Sequence, residues 1–489
     1  MNTPIRRLSV FTMALFAVLM LNLTWIQGFR ADALIEDPLN TRQYSEHLSR
    51  PRGPIEIAGE SVAFSENVAE ESGSPLYQRQ YTGGEMYTPV TGVLSVYSTT
   101  GIESAENSLL DGTDDRLAVR NFRDIITGRE PEGARVGLTL DPEVQEAGFD
   151  GFRDGGFQGA AVALDPNTGA ILGAVSAPSY DANDVASVTD RDTAVNNFVE
   201  LEQDPDQPLL NRAFNELYPP GSTFKVVTAA AAIESLGATP ESTIDAPDLL
   251  DFANGPVLPN ATPGGTCNGG QPDTLAHSIQ ISCNTSMANW AMEMGGQALS
   301  DQASAFGFNP PEGEELQVPL SVEPSLAPVE TDDSILGRAG IGQSNVQATP
   351  LQMAMVAAGV ANGGEIMRPY LVDSVLDSDM SVVTETQPET FSQAVSASTA
   401  EDLTDMMVLV TTAPEGSGTG GAISGTEVAG KTGTAETGGD QATHNWFIGF
   451  APADDPEIAV AVVIEHGGGS GGTLAAPIAR AMMEAVVLE

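Results

Sequence analysis

Lysine is almost missing from this chain of 489 residues: only Lys225 and Lys431 occur, and arginine supplies the other basic side chains. Histidine is scarce, with four residues, and cysteine scarcer, with two. Positive charge as a whole is rare. Twenty Lys and Arg face 67 Asp and Glu, leaving a formal net charge of −47. Such a surface repels nucleic acid and anionic lipid, which excludes a nucleic-acid function. The acid excess, with arginine in place of lysine, points to adaptation to high salt; that speaks to habitat and not to chemistry. His47, His277, His444 and His466 are scattered and lie at no metal-ligand spacing from the two cysteines. No metal or other cofactor is expected. Apolar residues, at 41%, are not scarce, so the chain is folded, and its length suggests two or three units plus an anchor.

The N-terminus supplies the anchor. Arg6 and Arg7 precede a run from Leu8 to Phe29 without a charge. Twenty-two helical residues reach roughly 33 Å, enough for a hydrocarbon core of about 30 Å. Trp25 falls near the outer end, where an indole suits the interface. The two arginines place residues 1–7 in the cytoplasm and everything after Arg30 outside the cell membrane. Ala31-Asp32-Ala33 resembles a signal-peptidase site, but the apolar run exceeds a signal peptide's usual 7–15 or so residues, which favours an uncleaved anchor. In an oxidising exterior, Cys267 and Cys283 either form one disulfide, worth ~3 kcal/mol by the chain-entropy model, or remain buried thiols.

Along the chain, residues 30–137 are mixed and polar and read as an extracytoplasmic pedestal. Arg50 to Ile55 reads as a stiff segment opening into a strand; Tyr87 to Tyr97 and the Thr100–Glu103 turn read as irregular, partly β structure. From residue 138 the pattern sharpens. Asp141-Pro142 is an N-cap followed by a first-turn proline, and a helix follows toward Phe152. Gly159 to Ala177 reads as a hairpin around Asp165-Pro166-Asn167-Thr168-Gly169. Gly237 to Gly363 reads as mainly helical. Strands return at Val428–Glu436, Trp446–Ala451 and Ile458–Glu465, and a helix closes the chain over Leu474–Val487. Glu415–Gly421 and Gly467–Gly472 read as flexible glycine-rich loops. The arrangement implies one antiparallel sheet split in sequence, covered by helices and completed by a helical lobe.

Chemistry concentrates in three places. Tyr218-Pro219-Pro220-Gly221-Ser222-Thr223-Phe224-Lys225 delivers a serine where a helix begins and runs from Val226 to Leu236, ending at Gly237. Ser222 and Lys225, three apart, share a helix face at its partially positive end, so the amine can make the hydroxyl a nucleophile. Ser282-Cys283-Asn284 supplies a hydroxyl and an amide, and Lys431-Thr432-Gly433-Thr434 lies in a β-compatible run. The only two lysines of the chain fall in these motifs. Arginine cannot act as a base, whereas a desolvated lysine can lose its proton. Lys225 therefore reads as a base and Lys431 as a compact cation or proton relay.

Ser-x-x-Lys, Ser-x-Asn and Lys-Thr-Gly in this order resemble the motif set of the class B penicillin-binding proteins, most closely their actinobacterial A type. The resemblance extends over nearly the whole chain. It takes in the anchor, Arg52-Gly53, the Asp165–Gly169 hairpin, Gly342-Gln343, Thr349-Pro350-Leu351-Gln352 and Trp446-Phe447-Ile448-Gly449-Phe450. It implies an α+β fold of the penicillin-binding and serine β-lactamase type, with a five-stranded antiparallel sheet, flanking helices and an all-helical lobe in residues 138–489. Residues 30–137 would be a dimerisation-type pedestal. The implied activity is D,D-transpeptidation of peptidoglycan stem peptides, with β-lactams acylating Ser222 as mimics of D-Ala-D-Ala. Lys225 would take the Ser222 proton and Ser282 relay one to the departing D-Ala. Lys431, Thr432, Gly433 and Thr434 would hold the terminal carboxylate, Asn284 the acyl peptide's amide, and the backbone N–H groups of Ser222 and Thr434 the oxyanion. No segment long enough for glycosyltransfer precedes this unit, which implies a separate polytopic glycosyltransferase partner in the membrane.

Three alternatives compete. A β-lactamase on the same fold would need a Glu-x-x-x-Asn segment after Ser282 to place a hydrolytic water, and none is seen. A non-hydrolysing β-lactam or wall-fragment receptor would need a signalling segment that a tail of about seven residues does not offer. An acidic structural tether leaves the retention of Lys225 and Lys431 unexplained.

Overall fold

The computed structural model describes residues 2–30, 50–69, 75–95, 98–118, 132–253, 255–314, 316–438 and 441–488. Ala31-Asp32-Ala33, Tyr97 and His47 lie outside them. Helix α1 spans Asn2–Phe29. Its stretch Thr3–Ile26 is long and apolar enough to cross a membrane, and none of it is buried against the described residues, which fits a membrane anchor.

The pedestal is a six-stranded sheet. Strands β1 (Ile55–Ile57), β2 (Glu60–Asn67), β3 (Tyr77–Tyr81) and β4 (Arg135–Leu138) come from its own sequence. The sheet is completed from far downstream by β7 (Val372–Leu376) and β8 (Val382–Glu385), in the order β8-β7-β4-β1-β2-β3. Within it, β1 and β4 pair in parallel and the other described pairs are antiparallel. The segment read as partly β is instead helical at Thr88–Thr91 and Gly101–Ala105, with an isolated bridge between Leu94 and Thr99. Tertiary burial overrides the local signal there: Val90, Ile102 and Glu103 are all fully enclosed.

Glu103 is the pedestal's polar centre. Its carboxylate accepts from Arg52 at 3.1 Å and pairs with Arg79, and all three side chains are almost fully buried. The Tyr81 hydroxyl joins them at 3.4 Å. Burial pushes the Glu103 carboxyl up, but the two guanidiniums prevail and hold it below its ordinary value.

After β4, Asp141 caps helix α2 (Pro142–Gly155) by accepting from Glu143 N and Val144 N. Strands β5 (Gly159–Leu164) and β6 (Ile171–Ala177) form the expected hairpin, closed where Asp165 accepts from Asn167 N and Thr168 Oγ1. Strands β9 (Ala429–Ala435), β10 (His444–Ala451) and β11 (Ile458–Ile464) join it in a five-stranded sheet, ordered β9-β10-β11-β5-β6 and antiparallel throughout. Every residue of β10 and β11 is buried, so these strands show no alternation of polar and apolar residues: helices cover both faces. On one face lie α2 and α8 (Gly471–Val487). On the other lies α6 (Pro350–Ala361), apolar all round because core surrounds it, between the sheet and the helical lobe. The lobe contributes α3 (Lys225–Leu236), α4 (Leu275–Gln280), α5 (Asn284–Met294) and α7 (Ala397–Thr412).

Two glycine-rich stretches read as loops are partly helical. Thr419–Gly421 is a 3-10 turn, and Gly471 and Gly472 open α8 behind a capping box of Ser470 and Thr473. A Cβ on Gly471 would lie 2.0 Å from Trp446 O, so glycine here serves close helix–sheet approach and not flexibility.

Replacing Glu103 by Ala strands two buried guanidiniums. It is expected to cost about 3–5 kcal/mol, read by calorimetry as a lower melting temperature of the pedestal. Because the folded carboxyl titrates below its unfolded value, this contribution is present above the ordinary glutamate range and lost as pH falls through the lowered value. An unchanged melting temperature contradicts the assignment.

Candidate active site

Ser222 does not open an α-helix. It sits in a 3-10 turn, Gly221–Phe224, and regular helix begins at Lys225. The two prolines and Gly221, at φ +55°, force the tighter turn, and Thr223 Oγ1 closes it by donating to Pro220 O at 2.7 Å. The turn is fixed from three sides. Tyr218 exchanges both backbone hydrogen bonds with Ala348, at 3.0 and 2.8 Å. Gly221 N donates to Gly342 O at 2.8 Å, and a Cβ on Gly342 would stand 2.1 Å from Gly221 O. Trp446 Nε1 donates to Pro219 O at 3.1 Å. Among the described residues Ser222 Oγ has no hydrogen-bond partner, and Ser222 lines a cavity.

Both lysines are fully buried. Lys225 Nζ donates to Ser282 O at 2.7 Å, Ser282 Oγ at 3.2 Å and Asn284 Oδ1 at 2.7 Å. Lys431 Nζ donates to the same Ser282 Oγ at 2.9 Å and to Thr432 O at 3.0 Å. The hydroxyl of Ser282 thus stands between two amines. Burial, and then the charge of Lys431, pushes Lys225 well below the ordinary lysine range. Burial alone brings Lys431 down to about 7. In place of the expected Ser222–Lys225 contact, the Lys225 amine points to Ser282 and Asn284, whose three oxygens take the place of solvent around it. Catalytic hydrogen bonds often tighten only when substrate arrives.

Ser282 is held in a left-handed conformation at φ +64°. For a non-glycine residue that costs on the order of 1 kcal/mol and needs a frame to maintain it. The frame is local and covalent. Ser282 N donates to Ile279 O at 3.2 Å, Cys283 N to Ser278 O at 2.8 Å, and Cys283 is disulfide-bonded to Cys267. A further residue, Asn260, has no sequence signal: its Oδ1 accepts from the N–H groups of both Asn284 and Thr285 at 3.0 Å, an N-cap for α5 delivered from a distant loop. Only a helix start without a capping side chain of its own could have hinted at it.

The third wall is β9, the edge strand of the sheet, whose outer backbone edge no described strand covers. Thr432 and Gly433 lie buried along it and Thr434 is exposed; Thr432 Oγ1 lies 2.8 Å from Ser417 Oγ. The cavity has a volume of about 930 Å³ and touches Ser222, Ser282, Asn284, Thr432, Gly433 and Thr434. Lys225 and Lys431, both fully buried, do not line it, whereas Cys267 does. Among the described residues no group of three or more His, Cys, Asp or Glu is placed to hold a metal.

A free serine hydroxyl, a second hydroxyl bridging two depressed amines and an uncovered strand edge make up a cleft for serine acyl transfer. The family model described as penicillin binding protein transpeptidase domain matches residues 159–484, and that of the penicillin binding protein A dimerisation domain matches residues 52–136. Peptidoglycan D,D-transpeptidase PbpA of Mycolicibacterium smegmatis is 42% identical over the whole of both chains. The protein of that name from Mycobacterium tuberculosis is 41% identical over all of this chain and 99% of its own. The structure of penicillin-binding protein A from M. tuberculosis as a ceftriaxone acyl-enzyme complex superposes with a TM-score of 0.85 at 40% identity, covering 91% of this chain and 99% of that one. The chain belongs to the class B penicillin-binding protein transpeptidases, of the PbpA type.

Replacing Asn260 by Ala removes the cap shared by Asn284 and Thr285. The expected loss is about 1–2 kcal/mol, together with slower acylation by penicillin as Ser282 loses its frame. Wild-type stability and acylation in this variant would contradict the role.

Proposed function

We infer that this chain is a peptidoglycan D,D-transpeptidase that works through an acyl-enzyme on Ser222 and is acylated by β-lactams. The observation that carries the reading is the meeting of three sequence-distant motifs at one hydroxyl, Ser282 Oγ, beside an unpartnered Ser222. The acyl-enzyme structures of a relative 40% identical support it.

In the first half-reaction the donor peptide lies along β9, its terminal carboxylate near Lys431, Thr432, Gly433 and Thr434. Ser222 Oγ attacks the penultimate carbonyl. Lys225, whose charge burial disfavours, gives up one of its three donated hydrogen bonds as it loses a proton and then takes that of Ser222, and the backbone N–H groups of Ser222 and Thr434 receive the oxyanion, an interaction worth about 3–4 kcal/mol per donor in acyl transfer. The proton returns through Ser282 to the departing D-Ala nitrogen, for which the two flanking amines form a short relay. Asn284 has one donor already on Pro259 O at 3.0 Å and its oxygen on Lys225, so holding the acyl peptide's amide requires its remaining N–H. In the second half-reaction an amine from a neighbouring stem displaces Ser222 and leaves a cross-link.

The accompanying division is a cytoplasmic tail at 1–7, an anchor at 8–29, a dimerisation-type pedestal at 30–137 and the transpeptidase at 138–489, with the catalytic cleft outside the membrane. The glycan strand would come from a separate polytopic glycosyltransferase in that membrane. The acidic surface suits high salt, in which charge repulsion is screened.

Labelling with a fluorescent penicillin tests the chemistry. Wild type should be labelled and stay labelled for hours, and Ser222→Ala not at all. Lys225→Arg keeps the charge but cannot accept a proton, and should acylate about 10²–10⁴-fold more slowly. Label on Ser222→Ala, or full activity of Lys225→Arg, defeats the assignment; label lost within seconds favours a β-lactamase.

A further inference from the structure

We propose that His277 is a further catalytic residue of this cleft, the base that receives the proton of the incoming acceptor amine. The proposal rests on the transpeptidase reading and assigns a step in its second half-reaction.

His277 lies in the wall of the same cavity as Ser222 and Ser282, and its side chain is 31% exposed. Its ring is held from behind. Nδ1 lies 2.8 and 2.9 Å from the two oxygens of Asp273, a carboxylate only 4% exposed. Asp273 is fixed in turn by Thr274 N at 2.9 Å and Ser278 Oγ at 3.3 Å. A carboxylate only accepts, so Nδ1 carries a hydrogen, and Nε2 is the ring nitrogen left to exchange a proton with the cavity. Nε2 faces the exposed carboxylate of Glu415 across 4.0 Å. The Glu415 loop is docked on α4, where Ser417 N donates to Gln280 O at 3.2 Å. A carboxylate that attracts an ammonium thus stands beside an imidazole that can deprotonate it.

The second half-reaction needs such a group. An acceptor amine reaches the enzyme as an ammonium, with a pKa of about 10 in water, and cannot attack an ester until it loses a proton. Both lysines are buried with their amines turned to Ser282. In the proposed step the ammonium gives one proton to His277 Nε2. The freed lone pair attacks the acyl carbonyl, the C–N bond forms and the bond to Ser222 Oγ breaks. The second nitrogen proton passes through Ser282 to Ser222 Oγ, and His277 releases its own proton to solvent.

An i,i+4 contact between Asp273 and His277 could serve only to brace α4 beneath Ser282. His277→Asn separates the two roles, because the asparagine amide can still donate to Asp273 while the base is gone. The full-length protein in detergent is given a fluorescent penicillin, and then a thioester donor with D-alanine as the acceptor amine. In H277N the penicillin acylation rate should stay within about threefold of wild type, since His277 has no part in that half-reaction. The ratio of aminolysis to hydrolysis at fixed D-alanine should fall about tenfold or more. In His277→Ala, added imidazole should restore part of that ratio. An unchanged ratio in H277N, a parallel fall of acylation and aminolysis, or no response of H277A to imidazole would each overturn the proposal. Failure of wild type to react with penicillin would instead overturn the transpeptidase reading.

Discussion

Two ammonium groups cannot share one hydroxyl oxygen in a buried site, and the active centre is built on that constraint. Lys225 and Lys431 both donate to Ser282 Oγ, and neither side chain reaches solvent. Desolvation disfavours each charge, and the charge of Lys431 further disfavours that of Lys225. Both amines are therefore biased toward the neutral form, Lys225 well below its ordinary range and Lys431 at about 7. In the cycle proposed above, the neutral form of Lys225 serves Ser222 and the charged form of Lys431 serves the substrate. Solvent-exposed lysines at the same sequence spacing would do neither.

Much of the surrounding structure keeps that geometry from relaxing. Ser282 occupies a backbone conformation that serine does not choose, so the chain on both sides is tied down. Helix α4 ends against it, Asn260 caps the helix that follows, and Cys283 is bonded to Cys267. The turn that carries Ser222 is braced by Tyr218, Gly342 and Trp446. The five-stranded sheet supplies β9 as a rigid edge, with α8 packed so closely behind it that glycine is required at Gly471. Preorganisation of this kind is what lets donors and amines act without reorganising during reaction.

Local signals carry the catalytic unit a long way. The Asp141 cap, the Asp165–Gly169 turn and the left-handed Gly237 each announce an element edge through chemistry confined to a few residues. The scarcity of lysine, a matter of composition alone, marks both buried amines. What stays hidden depends on long-range pairing. Residues 372–385 complete the pedestal sheet although nothing near them says so, and Thr88–Thr91 coils into helix against Gly101–Ala105 and the distant β6. Gly471 and Gly472 read as a loop because glycine used for close packing and glycine used for freedom look alike in a sequence. Asn260 escapes sequence reasoning for a related reason: it caps residues 24 and 25 positions away that folding brings near it.

Because the chain contains only two lysines, the central claim is open to direct measurement. Protein labelled with ¹³C at lysine Cε gives two side-chain resonances, which Lys225→Arg and Lys431→Arg assign. Titrated by NMR, both should report pKa values below the ordinary 10.5, that of Lys225 well below it and that of Lys431 at about 7. Two resonances titrating together at the ordinary lysine value of about 10.4 would contradict the account, because neither amine would then be poised to accept a proton at neutral pH.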